Sequence, residues 1–144
     1  LATINCADVK VSDFDRDGHL DILFANEGHV ESDGGVVVYL GSSSRDFSGE
    51  RTATLPAVFP SAIEVADLDR DGYDEIVAGG RGGDWALMIY RYLPNSDSWE
   101  EIPLDIGGVA VSGLYIRDIT GDGALDILAI GGATDNIVLY ENSL

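Results

Sequence analysis

Three nine-residue segments carry the side chains able to do chemistry in this chain. They are Asp13-Phe14-Asp15-Arg16-Asp17-Gly18-His19-Leu20-Asp21, Asp67-Leu68-Asp69-Arg70-Asp71-Gly72-Tyr73-Asp74-Glu75 and Asp118-Ile119-Thr120-Gly121-Asp122-Gly123-Ala124-Leu125-Asp126. Calcium takes six to eight oxygen ligands in irregular geometry. A short loop supplies them from side chains at positions 1, 3, 5 and 9 and a carbonyl at 7, with glycine at 6 for the sharp turn. The first segment offers Asp13, Asp15, Asp17, the His19 carbonyl and Asp21. The second offers Asp67, Asp69, Asp71, the Tyr73 carbonyl and Glu75. The third offers Asp118, Thr120, Asp122, the Ala124 carbonyl and Asp126, and its uncharged Thr120 predicts the weakest of three calcium sites. An EF-hand is excluded, because position 12 is Phe24, Ala78 or Ala129 rather than glutamate and no helical pattern flanks the loops. A solvated acidic turn is the plainer alternative, since Asp-Gly is common in hairpins. Three copies in register between matching flanks favour calcium.

The segments start 54 and 51 residues apart, the length of a four-stranded unit. Before each loop stand alternating apolar residues (Val9 and Val11, Ile63 and Val65, Leu114 and Ile116), the mark of a strand with one buried face. After each loop come Ile22-Leu23, Ile76-Val77 and Ile127-Leu128, then a glycine-rich turn, then a strand ending on tyrosine at Tyr39, Tyr90 or Tyr140. A fourth strand is expected at 51–55 and 99–104. β-branched residues dominate these runs and no helical period is sustained, so the class is all-β, with three tandem four-stranded propeller-like blades. The expected layout is a single repeat domain over 1–144: an outer strand at 1–4, blade 1 at about 7–56, blade 2 at about 61–105 and blade 3 at about 109–144.

The last blade lacks its fourth strand, and an unpaired edge is a template for pairing. Leu1 to Ile4 is the candidate to cover it, in a second copy or a longer chain. Three blades are too few for a closed ring. The chain opens on Leu1 rather than methionine, which implies a processed form or part of a longer protein.

With 26 acidic against 8 basic residues, a net charge of −18, nucleic acid and anionic membranes are poor partners. No apolar run is long enough to span a bilayer as a helix, so no membrane insertion is expected. The single cysteine, Cys6, excludes an internal disulfide, and is expected to be a small buried apolar side chain.

The acidic loop, the Ile-Leu strand, the glycine-rich turn and the Val-x-Tyr strand together resemble the FG-GAP/VCBS repeat, over nearly the whole chain. That resemblance implies propeller blades, calcium at the three loops (about three ions) and an extracellular or cell-surface setting. The Phe-Gly and Gly-Ala-Pro boxes of the integrin form are not intact, and Arg81-Gly82-Gly83-Asp84 is not Arg-Gly-Asp, so integrin-type ligand binding does not carry over.

Enzymatic signals are thin. His19 lies inside a loop, His29 has no nucleophile at a recognisable spacing, and the ligand positions already use eleven carboxylates. Two functions remain. One is a non-enzymatic structural or adhesive protein that self-associates, or joins further propeller blades, through the open strand edge, as a ring or a head-to-tail filament. The other is a lectin-like module binding glycans or surface proteins through Trp85, Trp99, Tyr73, Tyr90, Tyr92 and Tyr115.

Overall fold

The computed structural model describes residues 5–29, 34–44, 47, 52–57, 59–81, 87–131 and 136–142. Leu1 to Ile4 and Trp85 lie outside the described residues, so the covering strand and the least constrained aromatic are not placed.

Among the described residues there is no helix. The strands are β1 (Cys6–Ser12), β2 (Asp21–Asn26), β3 (Gly35–Tyr39), β4 (Thr52–Leu55), β5 (Pro60–Ala66), β6 (Glu75–Gly80), β7 (Leu87–Leu93), β8 (Ser98–Leu104), β9 (Val111–Arg117), β10 (Asp126–Gly131) and β11 (Ile137–Tyr140). They form three antiparallel sheets, each in chain order: β1–β4, β5–β8 and β9–β11. The acidic loops join the first and second strands of each sheet.

The second sheet is sandwiched between the other two. Its Ile63, Ile76, Ala78 and Tyr90 pack against Leu23, Ala25, Val36 and Val38 of the first sheet. Its opposite face, with Val77, Leu87 and Ile89, packs against Val111, Ile127 and Ala129 of the third. Alternate residues of β6 thus enter separate cores, which is why the whole strand is buried. The first strands stand side by side, β1 against β5 and β5 against β9. Polar contacts tie them: Lys10 Nζ to Glu64 Oε1 at 3.1 Å, the Ile63 amide to Asp8 Oδ2 at 3.1 Å, and Ser61 Oγ to the Val111 carbonyl at 2.5 Å. The pairing slips at the same place in every repeat, between Cys6 and Asp8, Pro60 and Ala62, and Ile130 and Gly131. This bulge of the first strand is part of the repeat itself. The repeating tyrosines are packing residues. Tyr39 and Tyr90 are buried, Tyr140 packs against the core, and the Tyr90 hydroxyl donates to the Pro56 carbonyl between the first two sheets.

Three expectations need correction. Val9 and Val11, expected on a buried face like Ile63 and Val65, are 50% and 52% exposed. Their strand alternates as expected, but their side of the first sheet faces away from the second, and no described residue stacks on it. Cys6 is exposed rather than buried, at the start of the edge strand β1, where burial makes its thiol harder to ionise even so. The third strand of the second repeat also runs further than Tyr90. A turn over 94–97, closed by the Ser96 amide on the Leu93 carbonyl and the Tyr92 hydroxyl on Asp97, lets β7 and β8 pair out to Leu93 and Ser98.

Candidate metal loops

The three loops share one backbone conformation. Position 4 is left-handed in each, at Arg16 (φ 57), Arg70 (φ 62) and Gly121 (φ 79), and so is position 6, at Gly18 (φ 87), Gly72 (φ 96) and Gly123 (φ 93). Side chains other than glycine adopt this region at a cost. Arg16 and Arg70, the one such residue in each of the first two loops, are held there by the carboxylates that fold the segment on itself, and the third loop has glycine at both places. The position-5 carboxylate accepts the position-7 amide in every loop: Asp17 from His19 at 2.9 Å, Asp71 from Tyr73 at 2.8 Å, Asp122 from Ala124 at 2.8 Å. Asp15 and Asp69 accept the amides of Asp17 and Asp71 at 3.2 and 3.0 Å, and Asp13 accepts that of Gly18 at 3.0 Å.

These bonds gather carboxylate oxygens. Asp13, Asp15 and Asp17 each bring one to within 4.8 Å of the other two, and so do Asp67, Asp69 and Asp71. In both sets the first aspartate keeps a buried oxygen, Oδ1, with no hydrogen-bond partner. A buried, unpaired carboxylate oxygen is costly unless a cation meets it. Converging acidic oxygens with one orphan each are a donor set suited to a hard divalent cation such as calcium. The third loop differs. Asp118 uses both oxygens on backbone amides, Oδ1 on Gly121 at 2.6 Å and Oδ2 on Gly123 at 3.1 Å, and Thr120 has no carboxylate.

The ninth residue has a second role that spacing alone did not show. Asp21, Glu75 and Asp126 are fully buried, each accepting the amide of loop position 2: Phe14 at 2.8 Å, Leu68 at 2.7 Å, Ile119 at 2.9 Å. Asp21 also accepts the Gly41 amide at 2.7 Å and Asp126 that of Asn142 at 3.2 Å, so each clamps its loop to the chain two residues past the third strand. Burial pushes the Asp21 carboxyl up, opposed by the Gly41 and Phe14 amides, with Asp15 and Asp13 adding to the rise. Burial raises Glu75 likewise, and nearby Asp69 adds to it. Asp126 is lowered, chiefly by the Thr120 and Ile119 amides.

A carboxyl raised by folding stabilises the fold below its unfolded pKa, and that contribution is lost as pH rises through the raised value. In metal-free protein, the melting temperature of wild type minus that of Asp21→Asn is therefore expected to grow as pH falls from 7 to 4. A difference that shrinks on acidification would contradict the burial argument.

Position 2 was not singled out by its residue type, yet Phe14 and Leu68 are buried against the following sheet, and Phe14 meets the Trp99 ring edge-on at 6.2 Å. Neighbouring loops also touch. The Arg16 guanidinium lies 4.8 Å over the Tyr73 ring, and Arg70 donates to the Gly123 carbonyl. Of the aromatic set considered for sugar stacking, Tyr90 is core, and Trp99 is packed on Phe14 and, at 5.2 Å, on Tyr92.

The fold and these loops define an all-β protein of tandem acidic-loop units. The chain belongs to the FG-GAP-like repeat family, whose model matches residues 13–78 and again 67–129, in overlapping spans that take in all three loops. No curated protein matches it. Repeats of this family are typical of extracellular proteins, and among the described residues no helix is long and apolar enough to cross a membrane.

Proposed function

We propose that this chain is a non-enzymatic, extracellular, calcium-dependent structural or adhesive module whose sheets are the blades of a propeller-like assembly, completed by further blades from a second copy. Calcium at the loops, held by Asp13, Asp15 and Asp17 and by Asp67, Asp69 and Asp71 with the ninth-position acids beneath them, locks each hairpin. The third loop, through Asp118, Thr120, Asp122 and Asp126, is the weakest of the three.

One observation carries the assembly. Of the nine large apolar side chains that stand exposed among the described residues, all but Leu93 lie on the two end faces of the stack. Val9, Val11 and Leu20 lie on the open side of the first sheet. Tyr115, Ile119, Ile130, Ile137 and Leu139 lie on the open side of the third, with Ile137 68% exposed. Each of these positions in the first sheet has a counterpart in the second and third that meets the preceding sheet. Ile119 corresponds to Phe14 and Leu68, which are buried under the following sheet. The open faces are therefore the two halves of an interface the chain already makes twice within itself. Among the described residues β11 also has no outer neighbour, leaving an edge open to strand addition.

Contact between unlike faces is heterologous and gives a ring or a filament. Light scattering in millimolar calcium is expected to show a particle of two chains or more, and Ile137→Lys should reduce it to a monomer. A monomer for the unaltered protein would overturn the assembly.

A further inference from the structure

We propose that Arg91 is a tethered counter-cation of the second acidic loop, making it a weaker divalent-cation site than the first and letting the second hairpin hold together without metal. This rests on the reading of the loops as calcium sites. The Arg91 guanidinium is mostly buried. Its nitrogens stand 3.0 Å from Asp69 Oδ2, 3.4 Å from Glu75 Oε1 and 3.4 Å from Glu100 Oε2. Asp69 and Glu75 are the third- and ninth-position acids of the loop, so a permanent positive charge sits on two of its would-be ligands.

The repeat pattern shows why it is there. In the first and third repeats the ninth residue is aspartate, and its outer oxygen takes an amide two residues past the strand-ending tyrosine, from Gly41 or Asn142. In the second repeat β7 runs on to Leu93, and the residue in that place, Tyr92, lies within the ladder opposite Trp99. The ninth residue here is Glu75, one methylene longer, and the residue after the tyrosine is Arg91, where the other repeats have Leu40 and Glu141. Aspartate with a neutral amide has been exchanged for glutamate with a guanidinium. The exchange keeps the clamp and adds a full charge to the loop. Glu100, directly opposite Arg91 in β8, gives the guanidinium a third acid to hold.

Two consequences follow from the charge alone. A divalent cation entering the second loop must meet its ligands against a resident cation, so affinity falls relative to the first loop. Without metal, the acids of the second loop are still partly neutralised, so chelation should open the second repeat less than the first.

The test uses the whole protein with calcium and terbium as probes. Tyr73 is in the second loop with Tyr92 beside it, while Trp99 packs on Tyr92 and on Phe14 of the first loop, so the terbium emission that reports the second loop is the part lost in Asp71→Asn. Calcium displacement of terbium is expected to show tenfold or greater tightening at the second loop in Arg91→Leu. Arg91→Gln, which keeps a donor for Glu75 and so guards against misfolding, is expected to shift in the same direction. Unchanged or weaker binding in both variants, beside intact calorimetric calcium binding that depends on Asp15, overturns the role of Arg91 alone. Absence of any Asp15-dependent calcium binding overturns the calcium reading and the role of Arg91 with it.

Discussion

Chelation with EGTA is expected to lower the melting temperature by about 10 °C for each loop that calcium saturates. A ligand at one hundred times its dissociation constant stabilises by about 2.7 kcal/mol, and a domain of this size shifts by roughly 4 °C per kcal/mol. The physical reason lies in what remains when the ion leaves. Asp13 and Asp67 each retain a buried carboxylate oxygen with no partner. Three acids of each of the first two loops converge within 4.8 Å. Asp21 is buried below the first loop and Glu75 below the second. Like charges about 4 Å apart repel by roughly 1 kcal/mol in water and about four times that at intermediate dielectric, and the whole chain carries a net charge of −18. Asp15→Asn is expected to remove about one loop's share of the calcium-dependent shift, and Asp122→Asn much less, because Asp118 is already satisfied by amides. Differential scanning calorimetry in calcium and in EGTA checks both. A melting temperature indifferent to EGTA would mean that the amide bonds alone neutralise the loops.

The loops and the strands on either side of them were legible in the sequence because their signal is local. Acid spacing, a glycine at a left-handed position and alternation of apolar residues are properties of consecutive residues, and the three copies reinforce one another. Alternation says that a strand has two unlike faces, but not that a second layer covers either of them. Val9 and Val11 carry the same pattern as Ile63 and Val65, yet among the described residues only the latter pair has a sheet to meet. The same gap exposes Cys6. Arg91 was invisible for another reason. It is 16 residues from Glu75 and 22 from Asp69, and only the pairing of β6 with β7, which sets Ile76 opposite Tyr90, brings it beside the loop. The clamp by the ninth residue was hidden behind the ligand role its spacing suggests, since a buried acid accepting amides and a metal ligand require the same side chain.

Replacing Gly79 by alanine is expected to destabilise the protein by about 3 kcal/mol, at the upper end of what overpacking costs. An added Cβ would stand 2.3 Å from Val111 Cγ1 and 2.7 Å from Val111 Cβ. Val111 cannot yield by rotating, because its Cβ moves only with the backbone and its side chain is β-branched and fully buried. Nor can β9 retreat freely, with the Val111 carbonyl held by Ser61 Oγ. The clash therefore falls on the seam between the second and third sheets. Combining Gly79→Ala with Val111→Gly should recover part of the loss, with a coupling of roughly 1–2 kcal/mol in a double-mutant cycle. Additive effects in urea denaturation would show that the two sheets do not meet at that point. The same position is Ala25 in the first sheet, buried against the second, and Ile130 in the third, exposed on the open end face. Small residues thus stand where two sheets of this chain close on each other. Whatever stacks on the third sheet must leave room for an isoleucine there, so a sheet packed on that face would stand further off at this position than the sheets of this chain stand from each other.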